Sequence, residues 1–265
     1  MLRKRLIFTL LAQGKQFVLS RNFRLQNVGD IDWLEKHYTF EKTALNIDEL
    51  ILLNVTRDNK NLNTLVDILP KLMKFCFIPI AVGGGISCLK EGAKLLRAGA
   101  DKLVLNSILY NNPDEVKQMS NTFGRQCLVG SIDYKNSNGA TIPHINCGQT
   151  PIDMNLSEYA NYVQNLGVGE LYINSIDQDG TGMGLDLLNI GSIADSLSIP
   201  VIASGGAGNW KHLYDGFQHE SLSGVATAHL FNFISDGLKN ARENLISKQV
   251  PLPIWNVNLY HHLNK

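Results

Sequence analysis

Short, nearly unbroken apolar runs recur along the chain: Arg5–Leu11, Glu49–Val55, Ile78–Val82, Lys102–Asn106, Cys127–Asp133, Glu170–Ile176, Ile199–Ser204 and Gly224–Ala228. They are rich in β-branched residues and lack polar alternation, the pattern of strands buried on both faces, as in a parallel sheet. Between them, Leu62–Phe75, Ser87–Ala98, Pro113–Phe123 and Leu156–Leu166 place apolar residues at helical spacing. Asn112 before Pro113 reads as an N-cap followed by proline at the first helical position, and Ser87 with Glu91 reads as another helix start. Eight such strand–helix units predict a closed (β/α)8 TIM barrel, with a doubly wound open sheet as the runner-up.

An internal echo favours the barrel. Ile78-Pro-Ile-Ala-Val-Gly-Gly-Gly85 resembles Ile199-Pro-Val-Ile-Ala-Ser-Gly-Gly206, an offset of 121 residues that also carries Glu49-Leu50 onto Glu170-Leu171. The expectation is one barrel domain over 1–265 with a twofold internal repeat. Its halves are placed at about 1–123 and 124–250, followed by a tail over 251–265.

Charge and composition narrow the function. The 265 residues carry 24 Lys+Arg against 24 Asp+Glu, which argues against a nucleic-acid binder or a polybasic membrane-surface protein. With 44% hydrophobic and 18% charged residues, disorder is excluded. Basic Arg3-Lys-Arg5 before an apolar run has the order of a signal peptide. However, no small-x-small cleavage site follows, so a first strand is the better reading. No run approaches the ~18 apolar residues of a membrane span. Cys76, Cys88, Cys127 and Cys147 show no metal-ligand spacing and read as small core residues of a reduced, cytoplasmic protein. No metal or cofactor is expected.

Each half carries a glycine cluster at a strand's C-terminal end, around Gly84-Gly85 and around Gly205-Gly206. Glycine lets backbone N–H groups approach an anion, and a following helix N-terminus adds a favourable dipole. A tight strand-to-helix turn alone would also use glycine. Two clusters at repeat-related positions favour two phosphate cradles, with Asn106, Ser107, Asp179 and Gly180 as further contacts. The ligand is then a phosphorylated small molecule spanning the barrel mouth.

Several stretches together resemble the cyclase subunit of imidazole glycerol phosphate synthase: Leu2-Arg-Lys-Arg5, Val82-Gly-Gly-Gly-Ile86, Leu96-Arg-Ala-Gly-Ala-Asp-Lys102, Ser131-Ile-Asp133, Asp179-Gly-Thr181 and Val201-Ile-Ala-Ser-Gly-Gly-Ala-Gly208. The resemblance implies a glutaminase partner at the barrel's N-terminal face. Ammonia from that partner passes through the barrel to the C-terminal face, where a bisphosphorylated ribulosyl substrate is cleaved and cyclised. It also implies two catalytic aspartates. Asp133 matches one; Leu11 stands where the other is expected, and no Asp or Glu occurs between Met1 and Val28. A leucine neither gives nor takes a proton, so the acid/base pair is incomplete. Leu19 replaces a substrate-contacting lysine, Asn54 a strand-two aspartate, and His229 a small hydroxyl residue near the second phosphate site.

The other end matches. Arg5, Glu49, Lys102 and Glu170 fall on the positions of an ammonia gate of alternating charges, and Asp101 on a residue facing the glutaminase. A plain plug of the barrel floor is the alternative. An altered chemistry end with a preserved docking end is most similar to the family's glycosyl-amidation-associated branch, found with surface-polysaccharide genes. That branch implies a separate sugar amidotransferase as a further partner. The rival readings are a working cyclase of histidine biosynthesis and a stand-alone isomerase of a related bisphosphate. His144, His212 and His219 are expected at the surface, Trp33 and Trp210 in packing, and His261 and His262 in the tail.

Overall fold

The computed structural model describes residues 3–38, 43–58, 61–74, 76–137 and 139–254. Its strands are β1 (Arg5–Gln13), β2 (Gln16–Arg21), β3 (Arg24–Gly29), β4 (Glu49–Asn54), β5 (Ile80–Gly83), β6 (Lys102–Leu105), β7 (Leu128–Ser137), β8 (Ala140–Ile145), β9 (Thr150–Pro151), β10 (Glu170–Ser175), β11 (Val201–Ser204) and β12 (Leu222–Thr227). The helices described are α1 (Ile31–Tyr38), α2 (Asn63–Met73), α3 (Leu89–Arg97), α4 (Ser107–Asn111), α5 (Pro113–Phe123), α6 (Leu156–Asn165), α7 (Leu187–Ser196), α8 (Trp210–Gln218) and α9 (Gly237–Ser247). Phe75 of the helix expected over 62–75, Leu2, and His261 and His262 of the tail lie outside the described residues.

Eight parallel strands close on themselves in the order β1-β4-β5-β6-β7-β10-β11-β12, with β12 pairing back to β1. Leu6↔Val225 and Leu10↔Leu52 fix the register on either side of β1. The apolar runs are therefore barrel staves, buried on the lumen side and against the helices, and the open-sheet alternative is excluded. The outer core includes Leu6, Phe8 and Leu10 of β1, packed with helix residues such as Leu65, Leu95 and Val163. The lumen holds a separate apolar layer containing Ile7, Ile51, Ala81, Val104, Val129, Tyr172, Ile202 and Ala226. Odd and even positions of β1 thus point to opposite sides, as pleating requires.

Two barrel strands run past the ring into hairpins. β1 continues into β2 and β3, and β7 into β8 and β9, all antiparallel. Both hairpins rise at the C-terminal end and wall the mouth. Both expected helix starts are found, and the structure adds the detail of their caps. Asn112 precedes α5 with Pro113 in its first turn, but its side chain makes no cap bond. The residue before α3 is Cys88, while Ser87 lies one position earlier and donates its N–H and hydroxyl to Glu91 Oε2, both at 2.7 Å. No described helix is long and apolar enough to cross a membrane.

Candidate functional site

The C-terminal ends of the staves and the two hairpins enclose a cavity of about 700 Å³. Asp133, near the top of β7, is held by two amides. Asn106 Nδ2 donates to its Oδ2 at 3.1 Å and Asn174 Nδ2 to its Oδ1 at 3.3 Å. These bonds fix both oxygens, so the carboxylate is oriented rather than free to rotate. Leu11 lies on β1, four staves around the ring and so across the mouth. It pairs with Leu53 of β4 and Val18 of β2, is 8% exposed, and forms an apolar wall with Leu19 and Leu53. The side of the mouth facing Asp133 therefore has no proton-handling group at Leu11.

Gly84, Gly85, Gly205, Gly206 and His229 line this same cavity. Gly84 has φ +95°, and a Cβ there would meet Asn54 O at 2.1 Å; Gly205 has φ +90°, and its Cβ would meet Ser175 O at 2.6 Å. In both, the turn leaves its strand by passing tightly over the end of the preceding stave, a path only glycine takes without strain. The two glycine clusters are thus geometrically alike and open to one space.

The four further contacts expected for an anion, Asn106, Ser107, Asp179 and Gly180, are engaged within the protein. Asn106 spends its amide on Ser131 O, at 3.0 Å, and on Asp133, so it orients the carboxylate instead of offering a donor. Ser107 Oγ donates to Asn106 Oδ1 at 3.2 Å and accepts from Asn146 N at 3.1 Å. Asp179 is a carboxylate and can only accept when ionised. Its Oδ2 takes the hydroxyl of Ser20 and, at 3.1 Å, the backbone N–H of Phe23, both on the β2–β3 hairpin. Gly180 packs so closely on that hairpin that a Cβ would meet Ser20 O at 1.9 Å. Asp179-Gly180 thus anchors the hairpin over the mouth. Burial raises the Asp179 pKa, against the opposing pull of Ser20, Phe23 N–H and His229. Burial also lowers that of His229.

At the opposite end the four expected gate residues meet in one closed ring. Arg5 Nη1 lies 2.6 Å from Glu49 Oε2, and Arg5 Nη2 bonds Glu170 Oε1. Lys102 Nζ lies 2.8 Å from Glu49 Oε1 and 3.2 Å from Glu170 Oε2. Each carboxylate is shared by both cations. Burial alone would lower the Arg5 pKa, but the bonds and charges of Glu170 and Glu49 prevail and raise it. Asp101, beside Lys102, accepts the N–H of Ile80 at 2.8 Å and so closes the start of β5.

Between ring and cavity lies the apolar lumen, with a polar rung that sequence reasoning missed. Tyr172 OH bonds Ser204 Oγ at 2.6 Å and Thr9 at 3.4 Å, and burial pushes its pKa up to about 12. The signal was present only as inward positions of three apolar runs, where tyrosine, serine and threonine look like ordinary strand residues. His144 and His212 are half-buried rather than at the surface, as is His219, whose Nδ1 is buried. Trp33 and Trp210 pack against the core as expected. Cys76 is buried; Cys88, Cys127 and Cys147 are partly exposed, and Cys147 reaches the mouth.

The model of a family described as histidine biosynthesis protein matches residues 23–234. The chain is 42% identical over 243 residues to a protein named putative imidazole glycerol phosphate synthase subunit hisF2 of Parasynechococcus marenigrum (strain WH8102), covering 92% of this chain and 90% of the relative. It is 36% identical over 251 residues to imidazole glycerol phosphate synthase subunit HisF of Chlorobaculum parvum, covering 94% and 98%. With the protein of the same name in Chlorobium limicola it shares 33% over 253 residues, covering 95% and 99%.

Proposed function

This chain belongs to the histidine biosynthesis protein family, and from that premise we propose that it is the barrel subunit of an ammonia-using synthase of the imidazole glycerol phosphate synthase type. In this reading a glutaminase docks at the N-terminal face. Its ammonia enters past Arg5, Glu49, Lys102 and Glu170, crosses the lumen, and reacts at the mouth with a phosphorylated ligand held at the two glycine clusters. The closed charge ring carries the reading. Buried ion pairs are often no more stable than packed apolar groups, so a ring placed over an apolar lumen makes physical sense where something small and polar must cross. The relatives' names favour the histidine pathway for the product.

Leu11 sets the limit on the chemistry. With Asp133 as the oriented carboxylate and leucine opposite, ammonia-dependent cyclisation of the ribulosyl bisphosphate should run about 10²-fold or more below that of a barrel with both carboxylates. This one substitution favours a second reading, in which the ammonia goes on to a separate amidotransferase acting on a surface-polysaccharide sugar. Two measurements test the pair of readings: glutamate release by the glutaminase with and without this chain, and cyclisation with added ammonium. Stimulation with slow cyclisation is the expected result. Stimulation with no cyclisation favours the sugar acceptor. No association and no stimulation would leave the ring a structural plug and end the proposal.

A further inference from the structure

Every second residue of β1 faces the barrel axis, and four in succession are of four kinds. Arg5 belongs to the charge ring, Ile7 to the apolar layer, Thr9 to the polar rung and Leu11 to the mouth wall. On β10 the same climb runs from Glu170 in the ring through Tyr172 to Asn174, which holds Asp133. The rung of Thr9, Tyr172 and Ser204 thus stands where the lumen opens into the mouth, and Tyr172 and Ser204 also line the cavity. In the register of β7 and β10, Tyr172 pairs with Ser131 and Asn174 with Asp133. The rung is therefore one level, about 7 Å, beneath the oriented carboxylate.

Tyr172 rises from β10, bonds Ser204 on the neighbouring β11 at 2.6 Å, and comes within 3.4 Å of Thr9 on β1, three staves round the ring. All three side chains are buried, Thr9 at 1% exposure. Three hydroxyls carry three protons but share only two contacts, and no other described residue bonds them. If the bonds run upward, Thr9 donates to Tyr172 and its lone pairs are left for another donor. If they run downward, Thr9 keeps an unused proton. In either direction Thr9 Oγ1 has capacity to spare, and its contact is longer than the about 2.5–3.0 Å of a normal O–H···O bond. Such a buried group is costly unless a small polar guest completes it.

The guest has to suit apolar surroundings as well. Each of the eight staves gives one side chain to the layer around Tyr172, and none of the eight is charged. A cation therefore finds no counter-charge at this level. A neutral molecule with one lone pair and three N–H groups matches Thr9 in both bond directions. Burial pushes the Tyr172 pKa up to about 12 against its bonds to Ser204 and Thr9, and the charges of Asp133 and Asp179 add to the rise. Its hydroxyl thus stays protonated near neutral pH.

We propose that the rung of Thr9, Tyr172 and Ser204 is a binding station for neutral ammonia, holding it at the exit of the lumen one level below Asp133. The proposal rests on reading the lumen as ammonia's way to the mouth.

The test uses the full chain with its tyrosines carbon-13 labelled at Cζ and followed by NMR, and Tyr172→Phe identifies the Tyr172 signal. Ammonium chloride is titrated at about pH 6.5 and about pH 8.5, with potassium chloride as the control for a cation of similar size. The neutral share of ammonia rises about 100-fold between these values. The slope of the Tyr172 shift against total ammonium should rise about 100-fold with it. Thr9→Val should lower the slope at the higher pH about fivefold, the order expected for one hydrogen bond. A slope that is equal at both pH values, or matched by potassium, is a cation effect and overturns the proposal. So does a Tyr172 signal unmoved at molar ammonium, the result for a rung that is only a strut or holds water. An unchanged slope in Thr9→Val overturns it too, and if that variant does not fold the pH comparison decides alone. The titration needs no glutaminase. Its failure beside a stimulated glutaminase removes the station and leaves the passage, whereas its success without stimulation leaves the station and removes the docking.

Discussion

At the scale of the residue, the mouth is governed by what each polar atom is already committed to. Asp179 illustrates this. Both of its bonds to the hairpin fall on one oxygen, so an amide oxygen could accept them equally, and burial raises the carboxyl's pKa. A raised folded pKa means that the stability tied to the protonated form is fully present below the unfolded value of about 3.9 and is lost as pH rises through the folded one. Asp179→Asn should therefore be more stable than the native chain at pH 7 and should lose that advantage near pH 4. Denaturant midpoints at the two pH values check this; an equal difference at both would contradict it. The role was hidden in the sequence because Asp179-Gly-Thr181 carries a short polar signature whose partner, Ser20, lies 159 positions away. Leu11 was legible only against the resemblance, which implies an aspartate at that position; by itself it is one apolar residue in a run of them.

At the scale of the element, legibility followed burial. The eight staves were readable because both faces are covered, which forces continuous apolar runs. Their observed ends differ by a few residues: β7 extends to Ser137 and β5 begins at Ile80. The hairpins were not readable. β3 (Arg24–Gly29) is half-exposed and largely polar, and its strand state comes from pairing with β2, which in turn pairs with β1. α7 was also missed, with Gly191 and two serines diluting its periodicity. Caps divide the helices more finely. Asn155 Oδ1 accepts Glu158 N at 2.9 Å and Glu158 Oε2 accepts Asn155 N at 3.0 Å, a complete capping box at the start of α6. Asn112 before α5 makes no such bond. Asn155→Ala should cost about 1 kcal/mol, read by equilibrium unfolding, while Asn112→Ala should cost distinctly less. Equal losses would mean that the box adds nothing beyond local propensity.

At the scale of the whole molecule, the barrel joins two ends of unlike chemistry through one narrow interior. The ring of Arg5, Glu49, Lys102 and Glu170 stands at the floor, the cavity with Asp133 at the mouth, and the layer containing Ala81 and Val104 lies between. If ammonia from a docked glutaminase travels this way, the interior layer should control only the supply from below. Ala81 is suited to the test: it is fully buried in the lumen layer and makes no part of the cavity wall. Ala81→Leu adds three carbons to a filled layer, at a cost of about 1–3 kcal/mol in stability, which a barrel of this size should survive. Cyclisation fed by glutamine should then fall by about 10-fold or more relative to cyclisation fed by added ammonium, which reaches the mouth from solution. Glutamate release should persist, because all four ring residues are kept, although Ala81 pairs with Lys102 in the sheet. A constant ratio of glutamine-fed to ammonium-fed turnover in a folded Ala81→Leu protein would show that ammonia does not pass through the lumen, whatever docks beneath it.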